Sequence, residues 1–427
     1  MWLWADSCSP EAALSRRAGA SLISPRFLIS HGAVVSHTPA VLAGACLLVL
    51  AACGGGGGSS GGNSTGTLNL ALTDAPSCGY DAVNVTVEKV RVHKSGSATD
   101  TNSGWSEVVL AQPTRLNLLT LTNGVLEELG QTALPTGKYT QLRLVLSPND
   151  SAHPLANSVT PTGGSETALT TPSGQQSGVK TNIDIDIAAD KVADFVLDFR
   201  VCESIVKRGN SGQYNLKPVI TVLPRLSDAG MRIVGYVDTS LTPATTTVSA
   251  QVDGVPVRST PPDSTGRFVL YPVPAGSYDL VVNAQGHVTA VVTGVPVVTT
   301  AYTYVNTTAS RIDPPTATAR TVSGTVSTGV DPIDATVSAL KLYNGGPTIE
   351  LGTVPVNALD GTYSFSLPAE APLRAAYAAE STPLVFTADP TSPTGQYTLK
   401  ATYSGTVKTQ VVDISTGPVA ATPFSFP

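Results

Sequence analysis

Apolar and polar residues alternate with a period of two along several segments in the first half of the chain. This alternation is the pattern of a strand that has one buried face and one solvated face. Three segments place their large apolar side chains in this way: Leu68, Leu70 and Leu72; Leu142, Leu144 and Leu146; and Phe195, Leu197, Phe199 and Val201. The pattern predicts half-buried strands in a β domain.

The segment from residue 81 to 94 changes its apolar parity part of the way along. The change separates two sets of valines, which are Val83, Val85 and Val87 on one side and Val90 and Val92 on the other. One extra residue near Glu88 and Lys89 keeps both sets on the buried face, so the sequence predicts a β-bulge there.

Helix is expected to be scarce, because the chain contains 39 Gly and 32 Pro and is rich in Thr and Val. Short helical turns are predicted only around residues 116–121 and 125–129. The tract from Ser147 to Gly178 is rich in turn-forming residues and predicts a long surface loop.

From Met231 onward the sequence runs twice through one pattern of short strands between Gly and Pro turns. GYVDTS at Gly235 returns as GTVSTG at Gly324, and TTVSAQV at Thr246 returns as ATVSALK at Ala335. A unit of about 80–100 residues with this spacing predicts a small antiparallel β-sandwich. The second copy carries an insertion, whose Ala-rich part at residues 369–380 predicts a short helix.

The N-terminal region has the most specific motif. Residues 40–52 form an apolar run of 13 that is too short to span a bilayer and indicates the core of a secretory signal. The run ends in Leu50-Ala51-Ala52-Cys53, which resembles the lipobox of bacterial lipoproteins. The resemblance implies cleavage before Cys53, acylation of its thiol and its new amino group, and anchoring of the mature chain by lipid. An ordinary signal peptide with a chance Cys is the alternative.

Two further features complete this N-terminal picture. Gly54 takes the position where an Asp retains lipoproteins in the inner membrane, so the resemblance implies sorting to the outer membrane. Whether the protein lies on the periplasmic or the outer surface of that membrane is left undecided. Residues 54–66 read GGGGGSSGGNSTG, which is typical of a flexible tether.

The first folded segment resembles the DUF4382 family, which comprises exported bacterial proteins without an assigned activity. The resemblance follows the order Leu72-Thr73-Asp74-Ala75-Pro76, VNVTVEKVRVH, Gly104-Trp105, LNLLTLTNG, LPTGKYTQLRLVL, TNIDIDI and LKPVITVLPRL. The first repeat resembles carboxypeptidase-regulatory-like, transthyretin-type modules through Asp263-Ser264-Thr265-Gly266-Arg267-Phe268 and Val273-Pro274-Ala275-Gly276-Ser277-Tyr278. These resemblances imply spacer or binding modules and supply no catalytic residue.

These observations predict an all-β protein in which antiparallel β-sandwich domains follow one another after a lipoprotein signal and a Gly-rich tether. The predicted parts are a signal peptide at 1–52, a lipidated tether at 53–66, a DUF4382-like domain at 67–226, a regulatory-like β-sandwich at 231–310, and a divergent second β-sandwich at 320–427.

The Cys residues predict one disulfide. Cys8 and Cys46 leave with the signal and Cys53 is lipidated, so Cys78 and Cys202 remain in an oxidising compartment. A bridge between them closes about 125 residues and stabilises the fold by roughly 4–5 kcal/mol. Two buried free thiols are the alternative. Neither Cys has a neighbour at metal-ligand spacing, and no cofactor is expected.

Three Asp residues are candidates for a divalent-cation site, because Ca²⁺ prefers carboxylate oxygens. Asp74 shares the parity of the first apolar strand, whereas Asp184 and Asp186 lie opposite the apolar face of TNIDIDI. The competing interpretation is a turn-capping Asp74 and a solvated strand face.

The predicted function is that of a lipid-anchored cell-envelope protein that acts as a non-enzymatic scaffold, adhesive or ligand-binding ectodomain. Its expected partners are the membrane and an envelope protein or glycan; the net charge of −6 argues against nucleic acid. The alternative is an envelope carbohydrate-processing or hydrolytic enzyme that uses Asp74, Asp194, Asp198 and His93. Strand parity, however, places Asp194 and Asp198 toward solvent.

Overall fold

The architecture is taken from a computed structural model, which describes residues 64–74, 79–171, 178–343, 345–379, 382–389 and 393–427. The signal peptide, Cys53 and Cys78 therefore lie outside the described residues, as does nearly all of the tether. Within those ranges, none of the helices has the length and apolar character needed to cross a membrane.

The first domain is a two-sheet structure built from twelve strands. Its strands are β1 (Thr65–Asp74), β2 (Tyr80–His93), β3 (Ser106–Asn117), β4 (Glu127–Pro135), β5 (Gly137–Leu146), β6 (Ser158–Pro161), β7 (Thr167–Thr170), β8 (Val179–Ile187), β9 (Val192–Phe199), β10 (Ile205–Lys207), β11 (Tyr214–Leu216) and β12 (Ile220–Pro224). One sheet has the order β12-β9-β1-β4, and the other has the order β10-β11-β7-β6-β2-β5-β8 with β3 added beside β2. Their facing apolar side chains form one core.

The alternation of the first domain is confirmed, because every second residue of β1, β5 and β9 enters this core. The predicted bulge is also present, since the pairing of β2 with both neighbours shifts register between Val87 and Lys89. All five valines of the two parity sets are fully buried as a result.

Two local predictions in the first domain are wrong in part. Among the residues described there, the only helices are a 3-10 turn at Leu118–Thr120 and the four-residue α1 at Val201–Ser204, and the residues after Leu126 begin β4. The tract from residue 147 to 171 contains β6 and β7, which join the large sheet beside β2 and β11. Tertiary pairing with a preformed sheet overrides the turn-forming composition here.

The second domain has seven strands: β13 (Arg232–Tyr236), β14 (Thr246–Val252), β15 (Val255–Thr260), β16 (Arg267–Leu270), β17 (Gly276–Ala284), β18 (Ala290–Val297) and β19 (Tyr302–Tyr304). A three-stranded sheet, β16-β13-β19, faces a larger sheet that contains β15-β14-β17-β18. The core between them is rich in Val.

The third domain repeats this arrangement. Its strands are β20 (Ala319–Ser327), β21 (Ala335–Leu342), β22 (Thr348–Pro355), β23 (Thr362–Pro368), β26 (Gln396–Tyr403), β27 (Thr406–Asp413) and β28 (Phe424–Ser425). They form the sheets β23-β20-β28 and β22-β21-β26-β27, which match the second domain strand for strand. Even a register shift recurs, after Ala250 in one copy and after Ala339 in the other. The predicted all-β class is thus confirmed.

The predicted helix in the insertion is wrong. Residues 373–388 contain two short strands, β24 (Leu373–Ala376) and β25 (Thr387–Ala388). β24 pairs in parallel with β18, so the insertion of the third domain extends the sheet of the second. Its apolar residues also pack on the second domain's core, which they reach through Leu373, Tyr377, Leu384 and Phe386. An exposed strand edge supplies hydrogen bonds that outweigh the helix propensity of Ala.

Candidate functional site

One aspartate of the first domain's small sheet that was predicted to face solvent is buried. Asp198 lies on the outer face of β9, as its parity requires, yet it is only 3% exposed. Val196 and Thr73 on the same face of this sheet are also fully buried. The prediction of a solvent-facing Asp198 is therefore wrong, because the second domain covers this face.

Arg258 of β15 lies against this face. Its guanidinium forms an ion pair with Asp198, and its side chain is 1% exposed. It also donates to the hydroxyl of Thr73 at 2.6 Å and to the carbonyls of Asp74 and Tyr271 at 3.1 Å each. A buried charge is tolerated when an opposite charge and further hydrogen bonds satisfy it, as they do here. These contacts fasten the first domain to the second.

A loop of the first domain strengthens the same junction. The side-chain oxygen of Asn123 accepts from the backbone N–H of Val269 at 2.7 Å. The backbone N–H of Asn123 donates to Thr260 Oγ1, also at 2.7 Å. Leu126 packs beside these bonds on a small apolar cluster of the second domain, formed by Met231, Val234, Val269 and Tyr271.

Asp74 and Asp194 also have structural partners. The carboxylate of Asp74 accepts from the backbone N–H of Val201 at 3.2 Å, which joins the end of β1 to α1. Asp194 is half-buried, not fully solvated as predicted, and accepts from Arg225 Nε at 2.9 Å. Arg225 also pairs with Glu128, and these charge-assisted bonds raise its pKa against the opposing effect of burial.

Asp184 and Asp186 lie on the exposed face of β8, which agrees with their predicted parity. Asp184 pairs with Lys138 at 2.7 Å on the surface. The buried Asp74 belongs to the other sheet, so the three aspartates are not brought together. Across the described ranges, no three His, Cys, Asp or Glu side chains form a group that could hold a metal ion.

His93 belongs to the large sheet, and its neighbours are an aromatic ring and two guanidinium groups instead of carboxylates. Its ring lies 5.0 Å from that of Trp105, between centroids. Trp105 is half-buried, and the guanidinium carbons of Arg91 and Arg143 lie 4.6 and 4.8 Å from its ring centre. Desolvation and the neighbouring Arg91 lower the pKa of Arg143. The residues of the enzymatic alternative are therefore divided between the two sheets, with Asp74, Asp194 and Asp198 on the small sheet and His93 on the large one.

A second polar junction joins the first domain to the third. Glu203 of α1 is 14% exposed and pairs with Arg200 at 2.5 Å. Burial raises its pKa to about 7, against the opposing charge of Arg200. Glu350 of β22 contributes to this shift, and burial raises its own pKa as well. Gln251 of the second domain joins the backbone of Glu350 through two hydrogen bonds of 2.8 Å.

Alternation in the sequence did not identify Arg258, Glu203 or Glu350. Arg258 follows the polar pattern of a solvent-facing strand residue, and only its contact with Asp198 reveals its role. The three domains share one compact unit, Gly61–Pro427, within which these side chains lie at the junctions.

Part of the chain matches a known protein family. Residues 65–218 match the family model of DUF4382, described as a domain of unknown function. That match covers the first eleven of the twelve strands of the first domain and ends before β12. No curated protein sequence matches the chain.

Solved structures show only distant likeness. A type II cohesin–X-dockerin complex from Acetivibrio cellulolyticus is 23% identical over 21% of this chain and 59% of its own, with a TM-score of 0.17. A streptococcal ancillary pilin is 9% identical over 83% of this chain and 98% of its own, and the Corynebacterium diphtheriae major pilin SpaA is 13% identical over 84% and 99%; both have TM-scores of 0.17. Scores this low support no inference about function.

Proposed function

We propose that this protein is a lipid-anchored protein of the outer membrane that acts as a non-enzymatic scaffold or adhesive ectodomain. The Arg258–Asp198 junction carries the scaffold part of the proposal. It places an ion pair and two further hydrogen bonds in the interior between two domains, where solvent does not screen them. A scaffold needs such fixed junctions, because a flexible string of domains holds no surface at a defined position.

The anchoring part of the proposal comes from the sequence. The LAAC motif at residues 50–53, followed by the Gly-rich segment, favours a folded unit held a short distance from the membrane. A Cys78–Cys202 bridge belongs to the same proposal. The Asp74–Val201 hydrogen bond supports it, since it places the chain four residues before Cys78 beside the residue that precedes Cys202.

The anchoring test compares wild type with Cys53→Ser in cells labelled with a palmitate analogue. We expect wild type to be labelled and to fractionate with membranes, and the variant to lose both properties. Cys46→Ser is the matched control, because it alters a Cys inside the predicted signal and leaves the acylated position intact. A Cys53→Ser protein that keeps its label and its membrane association contradicts the proposal.

Limited proteolysis of the isolated envelope tests the scaffold. A scaffold with fixed junctions releases one large fragment, cut in the Gly-rich segment and containing all three domains. Release of separate single-domain fragments at the earliest time points argues against a scaffold. The same digestion on intact cells then locates the unit, since release from them identifies the surface face and supports adhesion.

A further inference from the structure

A cleft of about 740 Å³ lies between the first and third domains. Sites for small molecules commonly measure roughly 300–1,000 Å³ and combine apolar walls with a few polar groups. The apolar walls of this cleft come from both domains and include Tyr80, Ile205, Val354 and Pro355.

The third domain contributes an ordered set of hydroxyl groups to this cleft. β20 and β23 are antiparallel neighbours, with Ser323 opposite Ser364 and Thr325 opposite Thr362. All four residues line the cleft. Directly opposite residues of an antiparallel pair are separated by about 4.5–5.5 Å at Cβ, so the two pairs form a flat array of hydroxyls.

Most of this polar surface is available to a ligand. The hydroxyls of Ser323, Thr325 and Ser364 form no hydrogen bond with another residue in the described parts of the chain. Thr362 donates to Asp360 at 2.7 Å and keeps its acceptor capacity. Asn357 accepts from the N–H of Gly209 through Oδ1 at 2.9 Å, which aims its amide group at the boundary between the two domains.

The charge of the lining selects among ligand classes. Lys207 supplies the only charged side chain among the described residues that line the cleft. Hydroxyls and an amide beside apolar walls suit a ligand that has hydroxyl edges and C–H faces and carries no charge. We propose that this cleft binds a neutral oligosaccharide. The proposal goes beyond the scaffold role and does not depend on lipid anchoring.

The test measures binding to the full-length protein in a zwitterionic detergent without sugar head groups. The probes are three neutral hexasaccharides, cellohexaose, maltohexaose and chitohexaose, together with the anionic hexagalacturonic acid, and calorimetric titration measures each affinity. We expect at least one neutral probe to bind. The double variant Ser323→Ala/Ser364→Ala is expected to weaken that binding about tenfold, through loss of two hydroxyl contacts.

The matched control is the next pair on the same two strands. Thr321 lies opposite Ser366, and neither residue lines the cleft. Thr321→Ala/Ser366→Ala should bind the probe like wild type, and both double variants should keep the thermal unfolding midpoint of wild type.

Three results overturn the proposal: no neutral probe binds, only hexagalacturonic acid binds, or the control variant loses as much affinity as the cleft variant. The outcome is also distinguishable from the anchoring test. The Cys53→Ser variant should bind the probe with the same affinity as wild type, and this result does not depend on whether the wild-type chain is lipidated.

Discussion

The second and third domains have the same seven strands in the same order, but their corresponding edges differ in chemistry. β18 closes the second domain's hairpin and is covered by β24, whereas β27 in the third domain is the last strand of its sheet. The hairpin registers place Val292 opposite Leu280 and Gln410 opposite Leu399, which makes these two positions equivalent. The buried run Ala290-Val291-Val292 thus corresponds to Lys408-Thr409-Gln410.

This difference shows how a single topology is adapted to its neighbours. A strand that is paired at its edge and packed on both faces can carry continuous apolar residues, and the outer face of β18 packs on the third domain's core through Val291. An exposed edge needs polar and charged residues that discourage pairing with other chains. The insertion in the third domain decides which edge is covered, because it reaches back to β18 and leaves β27 as the free edge.

β15 of the second domain and β22 of the third, which are equivalent strands, also differ in the residues that they turn toward the first domain. Arg258 lies opposite Ala250 in the second domain, and the corresponding partner of Ala339 in the third is Gly352. The first domain meets the second through a buried ion pair. At its contact with the third domain lie the largely buried carboxyl groups of Glu203 and Glu350 and, on the surface, the Lys217–Asp334 ion pair. The buried part of the first contact depends on opposite charges, whereas at the second contact burial raises the pKa of both carboxyl groups.

The largest expected effect comes from Arg258→Met. It leaves the Asp198 carboxylate buried without its cation, and we expect the free energy of unfolding to fall by about 3–5 kcal/mol in chemical denaturation. Gly352→Ala at the equivalent position should change it by less than about 0.5 kcal/mol, since a Cβ there meets no atom within 4 Å. If the two variants are equally stable, the junction is not a determinant of stability.

Substitutions in the edge strands β18 and β27 should change the free energy of unfolding by a smaller amount. Val291→Thr introduces a hydroxyl into a fully buried position and should cost about 1–3 kcal/mol, measured by thermal or chemical unfolding. The reciprocal Thr409→Val, at the equivalent exposed position, should stay within about 0.5 kcal/mol of wild type. Equal costs at the two sites contradict the difference in coverage.

The last effect is the dependence of stability on pH. Because burial raises the pKa of Glu203 from 4.5 to about 7, the folded state binds a proton that the unfolded state has lost between these values. The free energy of unfolding should therefore fall as pH rises from about 4.5 to 7, by up to about 1.4 kcal/mol per pH unit from this group, and then level off.

Glu203→Gln removes this titration and should flatten the fall, as measured by denaturation at several pH values. Asp184→Asn, which removes a carboxylate from the exposed face of β8, is the surface control. A Glu203→Gln profile as steep as that of wild type assigns the pH dependence to other groups.

The fold could be predicted from the sequence where each strand buries one face within its own domain. The parity change between Val87 and Val90 predicted a bulge correctly, because the core selects every second residue regardless of what surrounds the domain. The same rule failed for Asp198, since alternation identifies the face of a residue but not what covers that face.

The insertion shows the second limit of local patterns. The Ala-rich residues 369–380 satisfy the helix preference of an isolated segment, yet β24 forms because β18 has unpaired backbone groups beside it. The roles of Arg258 and Glu203 escaped prediction for a related reason. The local sequence around a single polar residue on a strand or in a short helix is the same whether that residue contacts water or a residue 60 positions further along. Its partner therefore cannot be predicted from neighbouring residues.

The sequence by itself determined the alternating strands of the first domain, their buried faces, the bulge, the repeated unit and the LAAC motif, because each depends on the order of nearby residues. Tertiary structure alone decided which edge is covered, which carboxylates are buried and where the hydroxyl-lined cleft opens. These features depend on residues that are distant in sequence and adjacent in space, and burial against such partners sets their charge, pKa and exposure.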